Sequence, residues 1–413
     1  MRRPVRPTAG TWSGTWEGRD PAGGLVAVTC AEGRIASVRR RADPVADPDA
    51  GPAGGADPYL LPGLVDLQMN GFGGHDLNAR GLEVDTVVEL VRALARTGVT
   101  GFAPTLVTAA PEDLRHAARV VAEAVTQSAE VAAAVAFLHV EGPHLSPQDG
   151  YRGAHPAAQI RPPDIAEFDA LAAAARGLLG LVTVSPHYSG TAAYTGHAVA
   201  SGVRVAIGHT HARAAEIAAS VAAGAGFCTH LGNGCAALLP RHDNHLWPQL
   251  ADSRLTAGFI ADGFHLTDEA LAAMLAAKGE HSYLVSDAVA LAGSPPGEYD
   301  SPIGGRVSLS AEGRLSMAGT SMLAGAACPL SRGVATLARL DGGALARGVS
   351  LAAELPRRIA GWSPGFTVGE PADLLLVDHA HGDLDLKVRE VVAAGRLVSV
   401  REPCWPAQRR LVP

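Results

Sequence analysis

The stretch Val135-Ala136-Phe137-Leu138-His139-Val140-Glu141 is an apolar, β-prone run that ends on a carboxylate. Two similar runs are followed at once by histidines, His209 and His230, and a fourth run ends on Asp287. In an α/β barrel all parallel strands end at the same rim, and barrel enzymes assemble their active sites there. The repeated placement therefore predicts a barrel that brings metal-ligand and proton-carrying side chains to one rim.

The rest of the central chain supports this architecture. Apolar runs alternate with alanine-rich helical stretches, as expected of repeated βα units. The runs lie at residues 61–69, 99–106, 135–140, 179–185, 203–208, 227–230, 255–261 and 283–286. Eight such runs predict an α/β fold of the (β/α)8 TIM-barrel type.

Both ends of the chain carry further β-prone runs, at residues 25–38 and 372–400, and a Pro/Ala/Asp/Gly-rich tract at 42–57 predicts a loop. We expect the two ends to pair into one small β-sandwich. The predicted domains are this sandwich, residues 1–60 plus 365–413, and a barrel of residues 61–364.

The composition excludes several classes of protein. The chain has 413 residues, with 34 Lys or Arg against 41 Asp or Glu and a net charge of −7. No basic surface is indicated, and no uncharged stretch reaches membrane-spanning length, so we expect neither a nucleic-acid nor a membrane partner. The five cysteines are scattered and form no Cys-x-x-Cys pair, which favours reduced thiols and a cytoplasmic location.

The rim residues suit metal chemistry. Zinc-type catalytic sites use a few imidazole and carboxylate ligands, which Glu141, His209 and His230 could supply from separate strands. A lone histidine beside an apolar run is more often structural, but three rim candidates flanked by glycine favour a shared site. Asp287 could cap the next segment or act as a general base, and its position after the last strand favours the base. Together these residues predict a metal-dependent hydrolase.

Eight short motifs also occur in a recognisable order and spacing. They are residues 61–71, 104–108, 139–143 (His-Val-Glu-Gly-Pro), 153–156 (Gly-Ala-His-Pro), 208–210 (Gly-His-Thr), 229–231 (Thr-His-Leu), 261–265 and 286–288 (Ser-Asp-Ala). Through these motifs the chain resembles the amidohydrolase superfamily and, over most of its length, the N-acetylglucosamine-6-phosphate deacetylases within it.

The resemblance implies a role for each matching position at the reacting bond. Glu141, His209 and His230 match the metal ligands of the family. Asp287 matches the aspartate that shuttles protons, and His155 matches the histidine that helps to hold and polarise the acetyl carbonyl.

The resemblance also implies the residues that hold the sugar. His265 matches a histidine that contacts the substrate, and Asn233 and the Gly234 amide match groups at the phosphate end of the sugar. Arg241 falls at the position of an arginine that reaches the phosphate of a neighbouring subunit, so a homodimer is implied.

Some positions depart from the family pattern. Many amidohydrolases begin the barrel with a His-x-His pair that helps to bind a second metal, whereas Gln68 and Asn70 stand here, so we expect one divalent ion, zinc. A Gly-Asn-Gly-Cys segment at residues 232–235 removes bulk near the expected sugar pocket. The usual proline-glutamate after the fourth strand is replaced by Pro186-His187, and residues 241–247 are rich in histidine and aromatic character.

The predicted function is deacetylation of an N-acetylated amino sugar, foremost N-acetylglucosamine 6-phosphate, to acetate and the free amine. An alternative is an amidohydrolase for another N-acyl compound, such as an unphosphorylated amino sugar, an N-acyl amino acid or a biosynthetic intermediate. A catalytically silent binding barrel is the third hypothesis. It is disfavoured because all four expected ligand and proton-carrier positions are filled.

Overall fold

The computed structural model describes residues 6–41, 58–301 and 305–398. The predicted loop at 42–57 and Cys404 lie outside the described residues. The chain begins with a small sheet: β1 (Gly14–Arg19), β2 (Leu25–Ala31), β3 (Arg34–Arg41) and β4 (Tyr59–Pro62). The first three strands form an antiparallel meander, and β4 adds in parallel to β1 through the pair Arg19 and Tyr59.

A parallel sheet of eight strands follows. Its strands are β5 (Leu64–Met69), β8 (Val99–Val107), β9 (Leu138–Glu141), β10 (Leu179–Val184), β11 (Arg204–Ile207), β12 (Phe227–Cys228), β13 (Thr256–Ile260) and β14 (Ser282–Val285), and a short hairpin of β6 (Gly71–Phe72) and β7 (His75–Asp76) follows the first of them. Each strand pairs with the next in this order. Every predicted apolar run overlaps one of these strands.

Helices cover the outside of the barrel. They are α1 (Val84–Arg96), α2 (Pro111–Gln127), α3 (Ala129–Ala134), α4 (Ile165–Ala174), α5 (Thr191–Ala200), α6 (Ala214–Ala222), α7 (Leu246–Ala251), α8 (Asp268–Lys278), α9 (Leu330–Leu340), α10 (Ala346–Val349) and α11 (Leu355–Ala360). In α1 the residues Val87, Leu90, Val91 and Leu94 recur at helical spacing and are buried, which anchors the helix to the strands. Throughout the described ranges, every helix is too short or too polar to cross a bilayer.

The last strand meets the first and closes the barrel at its carboxyl end. The Asp287 amide donates to the Gln68 carbonyl (3.0 Å), and the Asn70 amide donates to the Ala288 carbonyl (2.9 Å). Met69 and Ala288 form a parallel bridge at the same place. The predicted TIM barrel is confirmed, and its closing seam lies among residues of the expected site.

A three-stranded antiparallel sheet follows the last barrel strand. It comprises β15 (Gly297–Ser301), β16 (Gly305–Leu309) and β17 (Leu315–Met317), and it packs on Val289 through Val307, Leu309 and Leu315. The sequence analysis did not predict this insertion. The insertion leads directly into residues 321–325, which return to the carboxyl rim.

The carboxyl-terminal strands complete the small sheet. They are β18 (Leu374–Asp378), β19 (Lys387–Ala393) and β20 (Arg396–Val398), and β18 pairs antiparallel with β4. The order across this seven-stranded sheet is β20-β19-β18-β4-β1-β2-β3. The expectation that both chain ends build one β module is confirmed, while the boundaries at residues 60 and 365 remain predictions.

A buried ionic cluster joins this sheet to the amino end of the barrel. The Asp373 carboxylate accepts hydrogen bonds from Arg6, from Arg357 (2.9 Å) and from the Ala394 amide (2.7 Å). Arg357 also reaches the Gly63 carbonyl (3.2 Å), just before the first barrel strand, and Arg6 stacks on Trp362. All three charged groups are buried, so the cluster ties both chain ends to the barrel base.

Candidate active site

Three predicted ligands converge at the carboxyl rim. Glu141 Oε1 lies 2.9 Å from His230 Nε2 and 3.1 Å from His209 Nε2, and the two imidazole nitrogens are 3.1 Å apart. All three side chains are buried. Ligand atoms at about 2.0–2.1 Å from a tetrahedral zinc ion lie about 3.3 Å apart, so this triangle is close to the size that a zinc ion requires.

The hydrogen-bond partners of these groups fit a cation as well. His209 Nδ1 donates to the Tyr151 carbonyl oxygen (2.8 Å), which leaves the Nε2 of the neutral ring with a lone pair directed at the triangle. Burial alone would raise the pKa of Glu141, but hydrogen bonds and charge from His209 and His230 hold it well below its usual value. Burial would lower the pKa of His230, yet the hydrogen bond and charge of Glu141 raise it to about 9. A proton on His230 and a bound divalent ion are two ways to neutralise the same buried carboxylate.

Backbone strain is concentrated at this site. His209, His230 and Asp287 have φ angles of +47°, +28° and +53°, in a region that non-glycine residues seldom adopt. Each such residue costs about 1–3 kcal/mol and persists where the surrounding structure enforces it, often at functional sites. Each of the three lies two residues beyond the end of a barrel strand, so the strained turn directs its side chain into the rim.

Asp287 lies beside the triangle and is held by two amides. Its Oδ1 accepts from Asn70 Nδ2 (2.7 Å) and Gln68 Nε2 (3.1 Å), and the same Gln68 nitrogen is 3.1 Å from Glu141 Oε2. Gln68 and Asn70 therefore act as donors to carboxylates where a His-x-His pair would offer metal ligands. Burial, followed by the charge of Glu141, raises the pKa of Asp287. A raised pKa suits a carboxylate that must both accept and release a proton.

His155 completes the inner group. Its Nδ1 is 2.8 Å from Thr108 Oγ1, and its ring packs edge-on against His209 with centroids 4.5 Å apart. Ligand atoms of Glu141, His155 and His209 lie within 4.8 Å of one another, so these residues form a second, looser donor set. The tighter triangle favours His230 as the third ligand. Burial, followed by the charge of His209, lowers the pKa of His155 to about 3, so its ring is neutral.

A cavity of about 490 Å³ opens above these groups and receives three of the four predicted substrate residues, His265, Asn233 and Gly234. His265 Nδ1 is fixed by Asp262 (2.8 Å), which leaves Nε2 for a ligand. Asn233 Nδ2 is buried without a hydrogen-bond partner in the described structure. The opposite wall comes from residues 321–325.

Gly234 has a steric reason that the sequence did not reveal. A Cβ atom at this position would lie 2.7 Å from His209 Nδ1, and the glycine φ is +57°. Gly153 approaches the same ring from another side, with a hypothetical Cβ 3.0 Å from His209 Cε1. The glycine at 234 therefore makes room for a ligand ring as well as for the cavity.

Arg241 is the one predicted site residue that the fold leaves outside. It is exposed and does not line the cavity. No lysine or arginine of the described residues lines the cavity at all. A role for Arg241 at a neighbouring subunit's phosphate remains a prediction.

Sequence reasoning missed three supporting groups: the Tyr151 carbonyl, Thr108 and Asp262. The Tyr151 contact uses only backbone and leaves no side-chain signal. Asp262 accepts from the amides of Phe264 (2.8 Å) and His265 (3.0 Å), so its Asp-x-Phe-His spacing was a detectable turn signal.

Comparison with known proteins agrees with this geometry. The chain is 31% identical to an N-acetylglucosamine-6-phosphate deacetylase of Bos taurus, over 84% of this chain and 85% of that protein. It is 29% identical to an N-acetylgalactosamine-6-phosphate deacetylase of Escherichia coli O157:H7, over 82% and 88%. Among solved structures, an N-acetyl-D-glucosamine-6-phosphate deacetylase of Mycobacterium smegmatis superposes with a TM-score of 0.77 at 29% identity, covering 91% of this chain and 96% of that one. No family model matches the chain. Taken with the barrel and its rim site, these similarities show that the chain belongs to the N-acetylglucosamine-6-phosphate deacetylase family of metal-dependent amidohydrolases.

Proposed function

We propose that this protein hydrolyses the N-acetyl amide of an amino sugar 6-phosphate, giving acetate and the free amine. The observation that carries the proposal is the position of Asp287, half-buried beside the Glu141, His209 and His230 triangle at the floor of the cavity. The relatives are named for both N-acetylglucosamine and N-acetylgalactosamine 6-phosphate, so the sugar epimer stays open.

Glu141, His209 and His230 would hold one divalent ion, for which we propose zinc. Such an ion would act as a Lewis acid that polarises a carbonyl and lowers the pKa of a water, so that the water can lose a proton and attack. A single ion is supported because Gln68 and Asn70 direct amide N–H groups, which are not metal ligands, at Asp287 from the positions where a His-x-His pair would help to bind a second ion.

Asp287 would take a proton from the attacking water as the new C–O bond forms. It would then return that proton to the sugar nitrogen as the C–N bond breaks, so one water is consumed for each acetate and amine released. His155, neutral and held by Thr108, would hydrogen-bond the acetyl oxygen where negative charge develops. His265 and Asn233 would orient the sugar.

The phosphate requires a cation, and the described residues that line the cavity include no lysine or arginine. We propose a homodimer in which Arg241 of one copy reaches the phosphate in the other, since that side chain is exposed and outside its own cavity. A cytoplasmic location is also proposed. The four cysteines of the described residues are all free, which suits a reducing compartment.

A second candidate substrate is an unphosphorylated N-acetyl amino sugar. The absence of lysine and arginine from the described cavity lining favours it, because a doubly charged phosphate gains little from neutral walls. A catalytically silent barrel is disfavoured, because the ligand triangle and the Asp287 carboxylate beside it are both assembled.

The test is acetate release by the Zn²⁺-loaded protein from N-acetylglucosamine and N-acetylgalactosamine, each with and without the 6-phosphate. We expect kcat/KM to be at least about 100-fold higher for a phosphorylated sugar, since each charge-assisted contact strengthens binding. Equal rates on both forms would favour the second candidate, and no acetate from any of the four would contradict the proposed function.

Arg241→Ala sharpens the result. We expect it to raise KM for the phosphorylated sugar and to leave the unphosphorylated sugar unchanged. Arg254→Ala is the matched control, because Arg254 is exposed, pairs with Asp252 and precedes β13 at the opposite end of the barrel. Analytical ultracentrifugation should show a dimer, and a monomer that is fully active on the phosphorylated sugar would contradict the role of Arg241.

A further inference from the structure

Two departures from the family pattern come together in one place. His187 replaces the usual glutamate after the fourth strand, and His245 lies in the histidine-rich segment that follows Arg241. The rings of His187 and His211 pack 4.3 Å apart, and Tyr151 lies 5.8 Å from His211 and 5.6 Å from His245, measured between ring centroids. We call Tyr151, His187, His211 and His245 the outer ring cluster.

Hydrogen bonds fix two of the three histidines of this cluster. Ser185 Oγ is 2.6 Å from His187 Nδ1, and Ser146 Oγ is 2.7 Å from His211 Nδ1. His245 is only 4% exposed, and its Nε2 has no hydrogen-bond partner among the described residues. Burying an imidazole nitrogen without a partner costs free energy, so the packing of His245 against Tyr151 needs an explanation.

The outer ring cluster does not itself form a ligand set for a metal. Among the described residues, Glu141 and His209 form three-donor groups within 4.8 Å with His155 and with His230, and neither group contains a member of the cluster. The two serine hydroxyls also occupy one ring nitrogen each on His187 and His211. The cluster therefore contributes through packing.

What the cluster packs is the segment that holds a metal ligand. Tyr151 places its carbonyl oxygen 2.8 Å from His209 Nδ1, and the Ser146 amide donates to the His209 carbonyl (2.9 Å). The His209 ring is further confined by Gly153 and Gly234, where even a Cβ atom would crowd it. These glycines offer no side chain to hold the His209 ring. The hydrogen bond from His209 Nδ1 to the Tyr151 carbonyl therefore sets the tautomer of His209.

We propose that Tyr151 is a positioning residue. Its ring packs between His211 and His245, which holds the Tyr151 carbonyl against His209 Nδ1 and thereby strengthens metal binding. The Tyr151 side chain affects the metal site only through the position of its own backbone carbonyl. A substitution at residue 151 that leaves the backbone in place therefore keeps the hydrogen bond to His209. The inference rests on the proposed metal site.

The experiment compares Zn²⁺ affinity, measured by competition with a chromogenic chelator, for the full-length wild type, Tyr151→Ala and Tyr151→Phe. Tyr151→Ala removes the gripped ring, and we expect Zn²⁺ binding to weaken about 10–100-fold, the usual effect of losing an outer partner of a ligand. Tyr151→Phe keeps the ring and should stay within about threefold of wild type on the same scale. With saturating Zn²⁺, kcat should fall in Tyr151→Ala while KM changes little.

Tyr194→Leu separates positioning from general loss of stability. Tyr194 is buried against Phe168 and His144, away from His209, so this variant should lower the thermal midpoint without weakening Zn²⁺ binding. If Tyr151→Ala fails to fold, His245→Leu tests the same grip and should also weaken Zn²⁺ binding. Wild-type affinity in Tyr151→Ala, or equal losses in Tyr151→Ala and Tyr151→Phe, would overturn the inference. A wild type that binds no Zn²⁺ would overturn the proposed function with it.

Discussion

The two ends of the barrel each bury a carboxylate between two nitrogen-bearing side chains, with opposite consequences. At the amino end Asp373 is paired with Arg6 and Arg357. At the carboxyl end Glu141 is paired with His209 and His230. Arginine keeps its charge at all relevant pH values, so the first cluster is neutralised by the protein alone.

Histidine can give up its proton, and this makes the second cluster different. When the rings are neutral, their Nε2 lone pairs and the Glu141 oxygens converge on one point with nothing positive between them, which is the requirement for binding a cation. Backbone strain is found at His209 and His230 of this cluster and at Asp287 beside it, whereas Arg6, Arg357 and Asp373 have ordinary φ angles; at the amino end the positive φ, +46°, belongs to Ala394, whose amide donates to Asp373. A buried carboxylate paired with permanently charged arginines therefore serves stability, whereas one paired with histidines, which can lose their protons, serves function.

The largest expected effect is at the carboxyl end. Asp287→Asn should lower kcat about 10²–10⁴-fold, because the amide cannot accept the proton of the attacking water. Its oxygen can still accept from Gln68 and Asn70, so Zn²⁺ content by atomic absorption should stay at the wild-type level. Asp378→Asn, in the terminal sheet, is the control and should keep full activity. Substantial turnover by Asp287→Asn would exclude Asp287 as the base.

The next effect tests the amino end. Arg357→Met should lower the free energy of unfolding by about 3–5 kcal/mol, because it leaves Asp373 with one fewer buried counter-charge. Denaturant unfolding measures this loss, and Zn²⁺ affinity and kcat of the folded protein should be unchanged. Arg347→Met removes an exposed pair with Asp341 and should cost at most about 1 kcal/mol. A change in Zn²⁺ affinity in Arg357→Met would mean that the two ends are coupled.

A third prediction concerns the glycine beside the ligand ring. Gly234→Ala should weaken Zn²⁺ binding about 10–100-fold, because its Cβ would displace His209 from the triangle. Gly361→Ala is the control, because Gly361 has a left-handed backbone, with φ of +79° and nothing within 4 Å of the new Cβ. This control should lower stability by about 1 kcal/mol and leave Zn²⁺ binding intact. Equal Zn²⁺ affinities of the two variants would contradict the steric explanation.

The smallest effect is on pH dependence. Burial would raise the pKa of Asp373, but the charges of Arg6 and Arg357 hold it below the usual value. A carboxyl group with a lowered folded-state pKa stabilises the fold above its unfolded pKa, and this contribution is lost as pH falls through the folded pKa. The contribution of Asp373 to the unfolding free energy should therefore be constant near neutrality and decline below about pH 4, by about 1.4 kcal/mol per pH unit while its proton is taken up. In Arg357→Met this acid decline should be smaller, and an unchanged decline would remove Asp373 as its source.

The sequence predicted the parts of the molecule that depend on local patterns. Apolar runs located the eight strands, and the position of His209, His230 and Asp287 after such runs located the site, because strand ends of a parallel barrel must share a rim. The insertion of β15 to β17 escaped prediction because its strands are short and partly exposed and lack a sustained alternating pattern. The contact between the Tyr151 carbonyl and His209 spans 58 residues and uses backbone, so no residue type announces it.

The seam between the first and last strands has a consequence for how this enzyme comes into being. Asp287 reaches its partners Gln68 and Asn70 across more than two hundred residues of chain, separations of 219 and 217. A ribosome must therefore synthesise the chain from Gln68 through Asp287 before these side chains can meet, and contacts between such distant residues are slow to form in folding. Chains that end before Asp287 should therefore have no activity. A condition that separates the first and last barrel strands should likewise abolish activity before the remaining structure unfolds.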